Sequence, residues 1–459
     1  MKGNTVCRKL RRFNRTVRSL LLLGSLGLLA RSQDAGSSPE ILTVDQAVQN
    51  ALQKNPTLRT AELDVDKAGD DLSAFRTRRL PSIEWNVLGG QLLSKPTVTF
   101  DRGVFGTYPG VGPIPGEQAK VNIPRRPTAL MFGQILQPLS QQFRLGLGVK
   151  ALDVGRQIEA AKLAERRAAV AEQVRKAYYR LLETQSALES VEQSLPLYRE
   201  SVRLAQVGLR METVLASQQL KAEADAAKAE LEALKLRNPI ATQIEALNEL
   251  MGRPVNTPFR TVGVEQLVEA KLDVQEAIQK ALIQRPELRQ ASLRIQQAEL
   301  DVRAKRSEYI PDVSLALTYG SAVNFQNALP QNVASAGILL DWEVFDWGRK
   351  KNELNAKRRT ASQARVAEEA LDRRIRVEVA QALRQCIEAT QRVKVSALSL
   401  RAAREGLREQ QSAFRREAVL WKDVLQSQTN LAAADDEQRR ALAAYWSARA
   451  ELQRVLGEQ

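Results

Sequence analysis

Few side chains in this sequence could do covalent or acid–base chemistry. The 459 residues include two cysteines and no histidine, so Ser-His-Asp and Cys-His catalysis and the usual zinc sites lack their members. Cys7 lies in a basic N-terminal stretch. Cys386 lies in an Ala-rich helical segment, where a small buried hydrophobe is the expected role. Asp435 and Asp436 adjoin within a helical pattern, so their carboxylates diverge instead of converging on a substrate. There is no nucleophile with a base, no phosphate loop and no metal set. The expectation is a protein that is not an enzyme, with no catalytic, cofactor-binding or metal-ligating residues.

The elements that would position any site begin after the N-terminus. Residues 1–30 carry seven lysines and arginines, no acid, and the run SLLLLGSLGLLA. This reads as a secretory signal peptide cleaved between Ala30 and Ala35. Cys7 precedes the apolar run, which argues against a lipid anchor at the cleavage site. Its removal takes seven charges from the formal +15 and leaves +8, which weakens a nucleic-acid reading. No later stretch approaches eighteen apolar residues, so a transmembrane helix is not expected. A membrane barrel stays open.

The chain repeats itself. Residues 42–81 overlay 272–311 without a gap and share 16 of 40 positions, among them Ala51/Ala281, Pro56/Pro286, Arg59/Arg289 and Pro81/Pro311. A second match, VLASQQLKAEAD from Val214 and VLQSQTNLAAAD from Val424, lies at an offset of 210. These matches predict a first repeat over 42–252, a linker over 253–271 and a second repeat over 272–457.

Each repeat has one internal plan. A short helix (44–54; 274–284) stops before proline, and a second (56–80; 286–310) begins on it. Period-two alternation follows, with strands expected within 82–137 and 312–345. Ile83, Trp85 and Val87 alternate with Ser82, Glu84 and Asn86, and Ile338, Leu340, Trp342 and Val344 line one face of the last strand. Pairs of long helices are expected over 146–250 and 350–456. The spacing of Val170, Val174, Ala177, Leu181, Thr184, Leu188, Val191 and Leu195 is a coiled-coil seam. The turns fall at 206–214 and 416–424, with Pro196 and Gly406 as kinks above them. In each repeat the two shorter helices together match the length of the long one, as a cylinder wall of constant height requires. Four strands of about ten residues, apolar on one face, suit a membrane barrel that only an oligomer can close.

With its twofold LTVDQAVQNALQKNP and LDVQEAIQKALIQRP openings, its EVFDWGRK and QPLSQQFR exits and its QVGLRMETVLASQ and REAVLWKDVLQSQ tips, the chain resembles the TolC family of outer-membrane efflux channels over about 42–457. The resemblance implies a mainly α fold with a membrane β-barrel part. A homotrimer closes a twelve-stranded barrel in the Gram-negative outer membrane, and a coiled-coil α-helical barrel continues it into the periplasm. The implied function is a passive exit duct of a tripartite efflux or type I secretion system, docked to a periplasmic adaptor and, through it, an inner-membrane pump. It implies a strand-to-helix exit at Phe345, Asp346, Trp347 and Gly348. It implies tips and adaptor docking at Val207, Gly208, Leu209, Arg210, Arg416, Ala418, Val419 and Leu420. The family's acidic aperture falls on Asp423 and Gln426, with Thr213 as the first-repeat equivalent of Asp423; only one acid of the pair is present. Asp423 has an alternative role as a cap of the following helix. Arg210, Arg415 and Arg416 are candidates for holding closed contacts or forming the adaptor-facing surface. The competing reading is a secreted periplasmic coiled-coil scaffold without a barrel, which leaves the alternating strands unexplained.

Overall fold

The first helix carries its own start signal. The Thr43 hydroxyl accepts from the Gln46 N–H at 3.3 Å, and Gln46 Oε1 accepts from the Thr43 N–H at 2.9 Å, a reciprocal capping box. The computed structural model describes residues 40–458 except 92, 96, 123–126, 213, 264–272, 325–330 and 417, and except the side chain at 415. The signal segment and Thr213 lie outside the described residues. The chain divides into a unit ending at Glu40 and a unit Ile41–Gln459. The second carries every element below, apart from Glu40 at the start of the first strand.

In chain order the elements are β1 (Glu40–Leu42), α1 (Val44–Lys54), α2 (Pro56–Thr77), β2 (Ser82–Gln91), β3 (Thr97–Phe100), β4 (Thr107–Tyr108), β5 (Gly112–Pro113), β6 (Ala119–Asn122), β7 (Pro127–Pro138), α3 (Gln142–Arg210) and α4 (Ala216–Leu250). Then come β8 (Phe259–Thr261), α5 (Val274–Gln284), α6 (Pro286–Ser307), β9 (Asp312–Val323), β10 (Asn332–Asp341), α7 (Arg349–Arg415) and α8 (Trp421–Leu456). Strand β8 lies within the stretch expected to be a plain linker and pairs with β1.

Several expected boundaries move, each for a local reason. Helices α2 and α6 end three residues early, at Thr77 and Ser307, because the residues before Pro81 and Pro311 close tight turns. There Leu80 N–H donates to Thr77 O at 2.9 Å and Ile310 N–H to Ser307 O at 3.1 Å. Trp342 and Val344 continue the alternation of β10 but lie outside it, since the strand ends at Asp341; Glu343 turns instead to Arg349, and to Lys350 at 3.3 Å. Helix α3 starts four residues early and passes Leu195 without a break, with Pro196 inside it.

The strands β10, β9, β7 and β2 form one antiparallel sheet in that order. Beneath it, α2 packs on α3, α3 on α6 and α6 on α7. The helices therefore keep the lateral order of the strands that lead to them. The loop between β2 and β7 carries two small ribbons, β3 with β6 and β4 with β5.

The wall is one long helix beside two shorter ones. Helix α3 has 69 residues, against 22 in α2 and 35 in α4; α7 has 67, against 22 in α6 and 36 in α8. The shorter helices fall somewhat short of the expected match, and α1 and α5 pack on the long helices where they meet. At the first joint Asn55 serves both ends. Its Oδ1 accepts from Thr57 N–H at 2.8 Å, capping α2, while its Nδ2 donates to Leu250 O at the end of α4 at 2.8 Å. Helix α4 closes with Arg253 N–H on Asn248 O and α8 with Glu458 N–H on Gln453 O, the bonding of a Schellman motif. Each turns on a left-handed glycine, Gly252 (φ +65°) and Gly457 (φ +81°), set against the ends of α1 and α5: a Cβ on Gly252 would lie 2.2 Å from Lys54 O, and one on Gly457 3.0 Å from the Gln284 carbonyl carbon. At the second joint Arg285 stands in Asn55's place. It is buried and reaches Glu287 at 2.8 Å and Glu378 of α7 at 2.9 Å.

The core gathers at this level. Ala47, Val48 and Ala51 of α1 pack with Ala171, Val174 and Tyr178 of α3, Leu247 and Met251, and Tyr445 of α8. The Tyr178 hydroxyl lies 2.8 Å from Leu42 O and 3.0 Å from Val262 O and accepts from Val262 N–H, which ties the β1–β8 pair to α3. Cys386 is buried with Ile278, Val379 and Leu383, and burial pushes its thiol up.

A charge cluster joins α3 to α8. Arg454 reaches Glu172 at 2.8 Å and Glu451 at 2.6 Å, and Lys176 contacts Glu172 and, at 2.8 Å, Glu451. Burial pushes the Glu172 carboxyl up, aided by its hydrogen bond to Glu451. Glu451 feels the same burial, but hydrogen bonds with Glu172, Lys176 and Arg454 outweigh it and hold the group down to about 2.

The joint and the charge cluster each yield a stability prediction. Asn55→Ala removes a cap and leaves the Leu250 carbonyl unserved, and should cost about 1–2 kcal/mol; Gly252→Ala should cost more, since backbone must move, and both are read as lowered Tm by circular dichroism. Glu451, with its value depressed, stabilises above the unfolded carboxyl value of about 4.3 and loses that contribution as pH falls toward 2. Glu451→Gln should therefore lower Tm at pH 7, and its difference from the parent should shrink below about pH 4.

Candidate functional site

The two long-helix pairs each turn at a tip. Between α3 and α4, Met211 N–H donates to Val207 O at 3.1 Å, Glu212 N–H to Leu209 O at 3.1 Å and Val214 N–H to Gly208 O at 3.2 Å. Gly208 is buried, Val207 and Leu209 are half-buried, and Arg210 is exposed with its Nε on its own chain's Gln206 O at 3.4 Å. Glu212 takes a left-handed φ of 59°, uncommon for a residue with a side chain. Between α7 and α8, Arg416 and Ala418 both donate their N–H to Ala413 O, and Val419 is half-buried. Arg416, Ala418 and Leu420 are exposed. The Arg416 side chain makes no hydrogen bond or ion pair among the described residues, so neither it nor Arg210 holds a closed contact within one chain.

Asp423 is the third residue of α8, and its Oδ2 accepts from the Leu420 N–H at 3.0 Å. The carboxylate serves the helix start from inside the first turn, which also suits the positive end of the helix dipole. In α4, Gln218 does the same for Leu215 N–H at 3.3 Å. Helix geometry thus pairs Asp423 with Gln218, five residues from the Thr213 equivalence that the sequence match suggests. Gln426 is exposed one turn on, with its Nε2 on Asn430 Oδ1 at 3.1 Å. Trp421 packs on Phe414, ring centroids 5.1 Å apart, and its buried Nε1 has no hydrogen-bond partner among the described residues.

Nearer the tips than the charge cluster, a further side-chain tie joins the two helix pairs. Ser190 Oγ of α3 donates to Asp435 Oδ2 of α8 at 2.6 Å, and Asp435 also contacts Arg439 and, at 3.9 Å, Arg404 of α7. Asp436 pairs with Arg440 at 2.8 Å. These acids are spent on structural contacts.

At the strand-to-helix exit Asp346 caps α7. Its Oδ1 accepts from Gly348 N–H at 3.0 Å and its Oδ2 from Lys350 N–H at 2.8 Å. Those bonds, the Lys350 amide first, hold the carboxyl below its ordinary range. Phe345 and Trp347 pack edge to face at 4.8 Å, and Trp347 is 87% exposed. The corresponding turn after β7 is held by Ser140, which donates to Pro311 O and accepts from Val313 N–H. Among the described residues no group of histidine, cysteine and carboxylate side chains could hold a metal, and no helix is long and apolar enough to cross a membrane.

The comparisons with known proteins bear on this arrangement. Residues 277–458 match the profile of the outer membrane efflux protein family. That match falls on the second repeat. A search of curated protein sequences finds no match. Solved outer-membrane channels share the fold of this chain along nearly its whole length. OprN matches at 18% identity over 91% of this chain and 90% of its own, with a TM-score of 0.74. CmeC of Campylobacter jejuni matches at 15% identity over 90% and 85%, with a TM-score of 0.74. The open state of MtrE from Neisseria gonorrhoeae matches at 18% over 90% and 89%, with a TM-score of 0.70.

Sequence reasoning missed Asn55, Gly252, Gly457 and Gln218. The glycines carry a legible signal, each following an apolar helix end; Gln218 bonds only locally, to Leu215 N–H, while Asn55 acquires its second partner through the fold. For Asp346, the depressed value means its cap persists down to pH values below the unfolded carboxyl's about 3.9 and is lost as pH falls further. Asp346→Ala should speed amide exchange at Gly348 and Lys350 at neutral pH, with the difference closing at the acid end.

Proposed function

We propose that the chain is one of three identical subunits of an outer-membrane duct, the passive exit of a tripartite efflux or type I secretion system in a Gram-negative cell. One observation carries this reading. The antiparallel sheet ends in two strands, β2 and β10, each of 10 residues, exposed throughout and with an unpaired edge. Open, apolar edges of that length are a liability that proteins cover or close. Joining β2 of one copy to β10 of the next closes twelve strands from three chains and leaves no edge, which is the form in which strands cross a lipid bilayer.

Because the helices keep the strand order, the same closure continues them as an α-helical barrel into the periplasm, with the tips at its far end. The repeat boundaries 42–252 and 272–457, with 253–271 between, are then units of the wall, six to a trimer. The tip residues Val207, Gly208, Leu209, Arg210, Arg416, Ala418, Val419 and Leu420 form the surface for a periplasmic adaptor and, through it, an inner-membrane pump. Arg210 and Arg416 suit that role because they are exposed and make no tie to the other helix pair of their own chain. Asp423 caps α8 in each chain and, in the trimer, contributes one of three carboxylates at the aperture. Gln426 lies one turn further along α8, and Thr213 is proposed with them on the sequence equivalence alone. Gating is a two-state change in the contacts between helix pairs, biased by an adaptor that binds the open state better. The scaffold reading gains nothing from the open sheet edges.

The test is single-channel conductance of the detergent-purified trimer in a planar bilayer. Asp423→Asn keeps an acceptor oxygen for the Leu420 N–H and removes the charge, so it separates cap from aperture. A small cation-selective current that grows in Asp423→Asn supports both the duct and the aperture. A current unchanged by Asp423→Asn keeps the duct and removes the aperture, and a soluble, silent monomer overturns both.

A further inference from the structure

Within the four long strands, away from their ends, one acidic or basic side chain occurs. It is Glu84 in β2; Asp312 and Asp341 stand at the ends of β9 and β10. Register places Glu84 beside Gln134, Gln134 beside Thr318 and Thr318 beside Ser335. Directly opposed residues share a face, so one polar row crosses the whole sheet. Thr318 and Ser335 confirm the juxtaposition, with their hydroxyls 2.6 Å apart. Glu84 is exposed and makes no ion pair among the described residues.

The other face of the same rows is apolar. Ile83, Ile135, Leu317 and Ala336 form one row. In the next, the Trp85 ring lies over Gly133, where a Cβ would meet it at 2.4 Å, and stacks on Tyr319 at 5.9 Å. A carboxylate turned to lipid is costly, whereas the lumen of a barrel is wet. The apolar rows therefore face lipid and the Glu84 row faces the lumen.

Resting on the duct reading, we infer that Glu84 forms a second selectivity element, a ring of three carboxylates inside the β-barrel, set off by Gln134, Thr318 and Ser335. It favours cationic over anionic cargo in the membrane part of the path, far from the tips and independently of whether they are open. Its acid comes from the first repeat alone: the residue in the same row of the last strand is Ser335.

Thiol labelling in vesicles tests this without requiring an open tip. The only cysteine of the described chain, Cys386, is buried, so the parent serves as the blank. Gln134→Cys places a reporter in the polar row, and Ile135→Cys places one on the opposite face. Membrane-impermeant methanethiosulfonates, one cationic and one anionic, are applied to the reconstituted protein. The expected result is modification at position 134 and protection at position 135. The cationic-to-anionic rate ratio at 134 should fall about tenfold when Glu84→Gln is added, because several unit charges act within a Debye length. A ratio that Glu84→Gln does not change, or protection at 134 with modification at 135, overturns the inference and leaves the duct reading standing. Rapid modification at both positions means the sheet is not in a bilayer, and the duct reading fails with it.

Discussion

The structure depends on satisfying helix ends where two short helices meet end to end beside a continuous one. Every helix terminus leaves backbone groups without intrahelical partners, and a joint inside a packed wall offers them little water. Asn55 answers with one side chain that serves both termini, accepting from α2 and donating to the end of α4. Gly252 and Gly457 turn the chain back in left-handed conformation, against backbone that a Cβ would strike. The second joint has no such side-chain cap on α6; there buried Arg285 bridges instead to Glu378 of the long helix. A buried charge is costly to leave unpaired, so Arg285 ties the start of α6 to α7.

From those joints the wall extends in both directions. Upward, strands and helices keep one lateral order, so the curvature of the sheet and that of the helical layer are set together. Downward, the long helices leave the core. Between Lys176 and Ser190 the contacts of α3 with α8 pass from a dense charge cluster to a single hydroxyl–carboxylate bond. The lower part of each helix pair is held chiefly by its own partner, which suits elements that must move as units.

The tips show how one residue serves local structure and remains available for another role. Asp423 uses one oxygen on the Leu420 amide, and a carboxylate has further lone pairs to offer. The Gln218 cap in the other tip is chemically similar but uncharged. The two repeats thus share a fold and differ in charge, as they do at Asn55 and Arg285 and at Glu84 and Ser314.

Much of this was legible in the residues because it is local. The prolines at 56 and 286 start helices, the period changes at Pro81 and Pro311, and the heptad seam from Val170 runs into the core. The duplicated openings pointed to two similar units, and the helix pairs α1–α2 and α5–α6 begin them with the same lengths. What escaped was decided between distant segments. The second bond of Asn55 reaches a carbonyl 195 residues away. The alternation through Trp342 and Val344 looked like strand, yet Glu343 turns to Arg349 and ends the pairing. The VLASQ and VLQSQ match implied one equivalence across the tips, while the helix starts imposed another, because a helix begins where its first amides find acceptors. Sequence alone determined the main helices, the repeat and the faces of the long strands, since these follow from spacing along one chain. Which helix ends meet, which strands lie at the sheet edge and which acids are already spent on partners were decided by tertiary structure, because each depends on what another part of the chain brings within bonding distance.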